Sequence, residues 1–267
     1  MTNDKARPVR VLQLTDPHLM ADPAGALLGV TTRDSLDAVI DKVLQTHGQP
    51  DLVLATGDIT QDASEQAYRV FGERIKAFQC PSYWIAGNHD DAALLQQIAR
   101  EHDADRKHII RDNWQILMLD SSVPGKVHGA LAEDELAFLE QTLAANPDRS
   151  AIVSLHHHPV DIGCEWMSDI GLRNREEFWQ LIERFPQVKI VLWGHVHQAL
   201  DTERNGVALM ASPSTCIQFE RGSRKFSVED QAPGYRWLTL YPDGRFDSEV
   251  VRAEDYIFDL ETGSNGY

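Results

Sequence analysis

Cysteine is scarce in this chain: Cys80, Cys164 and Cys216 are the only three in 267 residues, widely spaced and without a Cys-x-x-Cys pair. That excludes a disulfide framework and a thiolate metal cluster, and free thiols in a reducing compartment are expected. Long apolar runs are also missing. No stretch approaches the roughly 20 apolar residues of a spanning helix, and Met1 to Pro8 holds no apolar signal core. A cytoplasmic location without a membrane partner is the expectation. Positive charge is the third shortage, with 25 Lys and Arg against 41 Asp and Glu and a net charge of −16. Such a surface repels anionic lipid and the nucleic-acid backbone, so no nucleic-acid partner is expected either. A small phosphate ester remains compatible, provided local cations supply the positive field.

The remaining composition is that of an ordinary globular protein, and the length suits one domain over residues 1–267. Short apolar runs alternate with helical periodicities. Strands are predicted over 9–14, 52–55, 83–86, 116–119, 151–155 and 188–193. Between them Leu36, Val39, Ile40 and Val43 recur at helical spacing, as do Ala67, Val70, Phe71, Ile75 and Phe78. Further helices are predicted from about 92 to 102, from about 132 to before Pro147, and through Phe178, Leu181, Ile182 and Phe185 to Pro186. From about 207 strands follow without helices: 207–211, 236–240 and 246–252, the last two flanking a Pro242-Asp243-Gly244 turn. This reads as a C-terminal antiparallel section, with a loose acidic tail from about 254. The class is α/β with mixed sheets.

Five strand ends carry metal-binding residue types: Asp16-Pro17-His18, Gly57-Asp58, Gly87-Asn88-His89-Asp90, His156-His157-His158-Pro159 and Gly194-His195-Val196-His197. Open α/β sheets place their chemistry at the carboxyl ends of strands. Carboxylate, imidazole and amide oxygen together suit borderline divalent ions better than soft thiolate metals. Seven candidate ligands exceed one ion and suit a pair sharing a carboxylate. Such pairs clamp the attacking and leaving oxygens of an in-line displacement.

Taken in order, these motifs resemble the calcineurin-like metallophosphoesterases. The strings Leu12-Gln13-Leu14-Thr15-Asp16-Pro17-His18-Leu19, Thr56-Gly57-Asp58-Ile59-Thr60-Gln61-Asp62, Leu155-His156-His157-His158-Pro159 and Gly194-His195-Val196-His197-Gln198 are similar to the class III cyclic-nucleotide phosphodiesterases. So are Pro213-Ser214-Thr215-Cys216-Ile217-Gln218-Phe219 and Pro233-Gly234-Tyr235-Arg236, and the likeness is to the bacterial branch that opens 3′,5′-cyclic AMP. The resemblance implies a four-layer α/β/β/α sandwich with two mixed sheets. It implies two divalent ions per chain, iron or manganese, with zinc an alternative. Asp16, His18 and His197 would hold one, Asn88, His156 and His195 the other, and Asp58 both. His157 is the alternative to His156. His18, Asp58, Asn88, His89 and His197 would contact substrate. A metal-held hydroxide would attack phosphorus, and His89 would protonate the leaving ribose 3′-oxygen to give 5′-AMP.

Other readings stand beside these. A broader phosphodiesterase or phosphatase would use the same metals on other small esters. A non-catalytic cyclic-nucleotide-binding regulator would be expected to lack ligands, and none is missing. Asp90 reads as the cap of the following helix. His47, His102, His108 and His128 read as solvated surface, and Cys216 as a buried small apolar residue. Trp166, Phe219 and Tyr235 are candidates for stacking on a base or for the core. The C-terminal strands offer an edge through which a homo-oligomer could form.

Overall fold

The computed structural model describes residues 7–262; most of Met1 to Pro8 and the last five residues of the acidic tail lie outside them. Two sheets stack face to face. The first has the order β15-β14-β1-β4-β5. Its strands are β1 (Val9–Leu14), β4 (Leu52–Thr56), β5 (Ser82–Ile85), β14 (Gly234–Leu240) and β15 (Phe246–Arg252). The second has the order β10-β11-β9-β8-β7-β6. It contains β6 (His108–Arg111), β7 (Trp114–Met118), β8 (Ser150–Ser154), β9 (Val188–Trp193), β10 (Leu200–Arg204) and β11 (Val207–Ala211). Two-stranded ribbons, β2 (Ala26–Leu27) with β3 (Val30–Thr31) and β12 (Gln218–Phe219) with β13 (Val228–Glu229), sit apart.

Both sheets are mixed. β1, β4 and β5 run parallel, while β14 joins β1 antiparallel with Gln13 opposite Arg236. β7, β8, β9 and β11 run parallel, and β6 and β10 close the edges antiparallel.

Side-chain alternation makes the layers. Val9, Val11, Leu52, Leu54, Tyr83 and Leu238 meet Ile116, Met118, Ile152, Ile190, Leu192 and Met210 between the sheets. Leu12, Leu14, Val53 and Ala55 face outward onto α1 (Thr32–Thr46), α2 (Glu65–Ile75) and α3 (Ala92–Glu101). On the far side Leu117, Val153, Val191 and Trp193 are covered by α4 (Glu133–Ala145) and α5 (Arg175–Ile182). The expected α/β/β/α sandwich is therefore the observed architecture.

Toward the carboxyl end of β1 the space between sheets turns polar. The Gln13 amide donates to Thr56 Oγ1 at 2.8 Å and to Trp193 O at 3.2 Å, and accepts from Ser212. Arg236, 1% exposed, donates to Asp201 at 2.7 Å, Ser248 at 2.6 Å and Ala211 O at 2.8 Å. A buried cation survives only when so partnered.

Several expectations need correction. β6 and β10 are not among the predicted strands, because each is a short edge strand without apolar alternation; β10 is Leu-Asp-Thr-Glu-Arg and almost wholly exposed. The strands after 207 do not form one antiparallel section. β11 lies parallel to β9 in the second sheet, whereas β14 and β15 complete the first. His47 and His102 are packed rather than solvated: His47 stacks on Trp237 at 4.3 Å, and His102 lies 5.4 Å from Trp84. Beyond Glu254, Tyr256, Phe258 and Leu260 pack on the core and Glu261 N–H donates to Leu28 O at 2.9 Å.

Candidate metal centre

The five chemistry-bearing turns leave the carboxyl ends of β1, β4, β5, β8 and β9, so three come from one sheet and two from the other. They are stitched by backbone hydrogen bonds. Asp16 N–H donates to Gly57 O, His18 N–H to Asp58 O and Gly194 N–H to His156 O, at 3.0, 3.0 and 3.2 Å. Five of the seven candidate ligands sit in the left-handed region: Asp16 (φ 55), His18 (φ 47), Asp58 (φ 47), His195 (φ 67) and His197 (φ 48). For non-glycine residues that conformation costs roughly 1–3 kcal/mol each and marks sites whose surroundings over-determine the backbone.

Two groups of side chains converge. In one, His197 Nε2 lies 3.3 Å from Asp16 Oδ1 and 3.1 Å from His18 Nε2. In the other, His156 Nε2 lies 3.2 Å from Asp58 Oδ2 and 3.3 Å from Asn88 Oδ1. Asp58 stands between them, with Oδ2 also 3.9 Å from His18 Nε2. Ligand-type atoms of His156, His157 and His195 gather within 4.8 Å of one another, as do those of Asp16, His18 and His197.

Each ring is oriented from behind. His156 Nδ1 donates to Thr56 O at 2.8 Å and His197 Nδ1 to Ile217 O at 2.9 Å, because a carbonyl can only accept. His18 Nδ1 meets Gln61 Oε1 at 2.6 Å. In all three Nδ1 is held from outside and Nε2 faces the centre, the nitrogen a metal takes once that ring is neutral. His195 Nε2 is buried with no hydrogen-bond partner. Paired carboxylates, an amide oxygen, imidazoles turned inward through Nε2 and one orphaned ring nitrogen, that of His195, fit a pair of divalent ions.

Of the two alternatives, His156 is the one that reaches Asp58. His157 has its nitrogens occupied by Ser121 Oγ at 2.8 Å and Val127 O at 3.1 Å.

Electrostatics follow from burial and neighbours. Burial pushes His18 down to about 3, and it holds His157 and His195 well below the usual histidine value. His156 is the exception: burial presses it down, but the charges of Asp58 and Asp16 and the hydrogen bond to Asp58 raise it to about 9. Burial would raise Asp58, yet His156, His89 and His18 hold it well below the ordinary carboxylate range.

Asp90 is not the helix cap. Asp91 caps α3, accepting from Ala93 and Leu94 N–H at 3.0 and 3.1 Å. Asp90 turns back and accepts from Gly87, Ile59 and Thr60 N–H at 2.9, 3.1 and 3.0 Å, tying the Asp58 turn to the Asn88 turn. Burial and the Asp58 charge push its carboxyl up to about 6. Thr15, Gln61 and Ser121 are further supporting residues that sequence reasoning missed. Thr15 Oγ1 donates to Asp16 Oδ2 at 2.6 Å, and Ser121 Oγ accepts from His156 and His157 N–H at 3.3 Å.

A cavity of about 370 Å³ opens beside the cluster. Asn88, His89 and His195 line one part, and Val127, Trp166, Ile170, Phe219 and Phe226 line the rest, with Lys126 alongside. Tyr235 is elsewhere, buried in the helix-side core of the first sheet. Cys216 is buried and free, as are Cys164 and the partly buried Cys80. Among the described residues no helix is long and apolar enough to cross a membrane.

Comparison with known proteins agrees with the fold and the motifs. Over 259 residues the chain is 41% identical to the 3′,5′-cyclic adenosine monophosphate phosphodiesterase CpdA of Pseudomonas aeruginosa, covering 97% of this chain and 95% of that one. It is 42% identical over 261 residues to CpdA of Escherichia coli, with the same coverage. To a 3′,5′-cyclic-nucleotide phosphodiesterase of Nostoc it is 35% identical, covering 92% and 93% of the two chains. Among solved structures, a dimetal phosphatase of Danio rerio superposes with a TM-score of 0.63 at 14% identity, covering 92% of this chain and 99% of that one, which bears on the fold alone. Residues 9–199 match the Calcineurin-like phosphoesterase family, and the chain belongs to that family of metal-dependent phosphoester hydrolases.

Proposed function

We propose that the protein hydrolyses 3′,5′-cyclic AMP to 5′-AMP at a two-metal centre held by Asp16, His18, Asp58, Asn88, His156, His195 and His197. The observation that carries the reading is Asp58, placed between two imidazole groups, in a chain alike over nearly its whole length to enzymes named for this substrate. Manganese or iron are the ions assigned, with zinc compatible with the same donors. The net charge of −16 favours a small diester over nucleic acid or a lipid surface. A cytoplasmic enzyme of this kind would act on a freely diffusing nucleotide.

When bound, the ions would supply charge neutralisation on the phosphate and activation of the attacking water. The chain's own residues do the remaining work. Thr56 and Ile217 carbonyls hold the His156 and His197 rings in register. Asp58 Oδ1 accepts from His89 N–H at 2.8 Å, fixing the His89 turn against the carboxylate. The His89 ring lies edge-on to His18 at 4.9 Å and lines the cavity. There it holds the proton that passes to the departing 3′-oxygen. His89→Ala is expected to keep its metal content and lose roughly 10²–10⁴-fold in kcat. Unaltered kcat would remove that role.

Metal loading should release protons. In chelator-stripped protein at pH 7, His156 carries a proton because its pKa is raised to about 9. A metal takes only the neutral ring, so affinity rises with pH toward that value. Titration calorimetry in two buffers of different ionisation enthalpy should report net proton release near pH 7, and equal heats in both would contradict it.

The function itself is tested by product analysis. Manganese-loaded protein is given 3′,5′-cyclic AMP, a 2′,3′-cyclic nucleotide and glycerophosphodiesters, with a chelator control. Chelator-sensitive 5′-AMP from the first, at the highest kcat/KM, supports the proposal. Faster cleavage of the others moves the substrate assignment to them. Bound nucleotide without turnover would favour a regulator.

A further inference from the structure

The cavity beside the cluster has two unlike parts, and the apolar one is built from two segments that hold each other. One segment carries Trp166 and Ile170. The other, the β12–β13 ribbon with its connection, carries Phe219 and Phe226. Glu165 N–H donates to Ser223 O at 3.1 Å, Trp166 Nε1 donates to Ser223 Oγ at 3.1 Å, and Ser223 Oγ donates to Glu220 O at 2.8 Å. The Trp166 ring meets Phe219 and Phe226 edge to face, at 5.2 and 5.3 Å. Phe219 in turn lies flat on His197, with centroids 4.2 Å apart and planes 9° apart. The aromatic wall is therefore continuous with the histidine cluster, not a separate surface feature.

Trp166, Ile170 and Phe226 remain partly exposed, and Val127 is 52% exposed. An apolar surface of this kind next to a polar cluster marks a binding cleft. We infer that this wall receives the purine base of the cyclic nucleotide, stacked on Trp166 and Phe226, while the phosphate lies at Asn88, His89 and His195. The inference rests on the proposed function and adds how the substrate is recognised. A volume of about 370 Å³ lies within the range of pockets that enclose small ligands.

The chemistry of the wall also sets what it does not do. The Trp166 indole N–H is already committed to Ser223. Lys126 is the remaining polar side chain in this part of the lining, and it offers only donors. Donors meet the N7 acceptor common to adenine and guanine. Stacking is indifferent to base identity, because every base presents a π-face. The site thus demands a base but reads its edge weakly.

The test is equilibrium binding by calorimetry to manganese-loaded protein, with 5′-AMP, 5′-GMP and ribose 5-phosphate as probes, alongside kinetics on both cyclic purine nucleotides. AMP and GMP should bind within about tenfold of each other, the scale of one hydrogen bond. Both should bind roughly 5–150-fold more tightly than ribose 5-phosphate. Trp166→Ala and Phe226→Ala should erase that margin and raise KM, leaving ribose 5-phosphate affinity unchanged; Trp166→Phe should restore most of it. Ribose 5-phosphate binding as tightly as AMP in the unaltered protein would overturn the base site, as would an AMP margin that survives both alanine substitutions. A hundredfold preference between AMP and GMP would overturn recognition by stacking. If Trp166→Ala loses ribose 5-phosphate as well, the wall has collapsed, and Phe226→Ala and Trp166→Phe decide. If the unaltered protein binds none of the probes and opens no cyclic nucleotide, the proposed function fails instead.

Discussion

Asp58→Ala is expected to lower kcat by about 10³-fold or more and to reduce bound metal from two ions toward one. Asp58 is 1% exposed and touches both halves of the centre. Its Oδ2 is 3.2 Å from His156 Nε2 and 3.9 Å from His18 Nε2, and its Oδ1 accepts the His89 N–H at 2.8 Å. Removal takes away the carboxylate that stands between His18 and His156. Lewis-acid stabilisation of a transferring phosphoryl group amounts to several kcal/mol, and each ~1.4 kcal/mol is tenfold in rate. The same substitution leaves the His89 turn without its acceptor, so loss of position and loss of charge are mixed in it. Asp58→Asn separates them, because an amide oxygen still accepts from His89 N–H but carries no charge. The charge explanation predicts that Asp58→Asn is nearly as inactive as Asp58→Ala. Metal content by mass spectrometry and kcat for 3′,5′-cyclic AMP are the readouts. Full activity in either variant, with two ions retained, would sink the assignment of Asp58 to both metals.

Asp58 stands out in the sequence as a candidate ligand through its place in the chain. Gly57-Asp58 alone says little, since Gly-Asp is common in turns. Its weight came from position: a buried run ends at Thr56, and four other buried runs end in the same residue types. Periodicity located those runs, and the strand order then brought their ends to one edge of the sandwich. The helices were legible for the same reason, as at Leu36, Val39, Ile40 and Val43, all buried on one face of α1. What stayed hidden has no periodic signature. β10 is a polar edge strand recognisable only by its partner β11. Asp90 and Asp91 are adjacent carboxylates at a helix start, and sequence does not say which one caps and which one turns back. Ser121 supports the histidine triplet from 35 residues away, a contact set by the pairing of β7 with β8. The left-handed backbone at His18, His195 and His197 is equally invisible, because most histidines do not adopt it and these are held there by their surroundings.

The glycine that precedes Asn88 shows how tightly that hidden geometry is drawn, and Gly87→Ala is expected to lower kcat by about 10²-fold, the scale of a 1 Å misplacement of reacting groups. Gly87 does not have a positive φ, so backbone strain is not the cause. A Cβ there would lie 2.2 Å from Asp58 Oδ1, 2.4 Å from Asp58 N and 2.7 Å from Asp58 Cγ. One of those atoms is backbone and the carboxylate is held by His89 N–H and His156, so neither can retreat cheaply. The collision must move Asp58, the Asn88 turn, or both, and Asp90, which accepts the Gly87 N–H, resists the second. Overpacking of this kind costs roughly 1–3 kcal/mol in stability, less than would unfold an ordinary domain. The variant should therefore fold, melt a few degrees lower, and show weakened metal binding with depressed kcat. Gly206→Ala is the comparison, because no atom lies within 4 Å of the added carbon there and only its positive φ is strained. It should lose stability without losing kcat. If Gly87→Ala melts lower yet turns over at the unaltered rate with full metal content, the position of Asp58 does not control the chemistry. If it keeps its melting temperature and loses turnover, the whole effect lies in the displaced carboxylate.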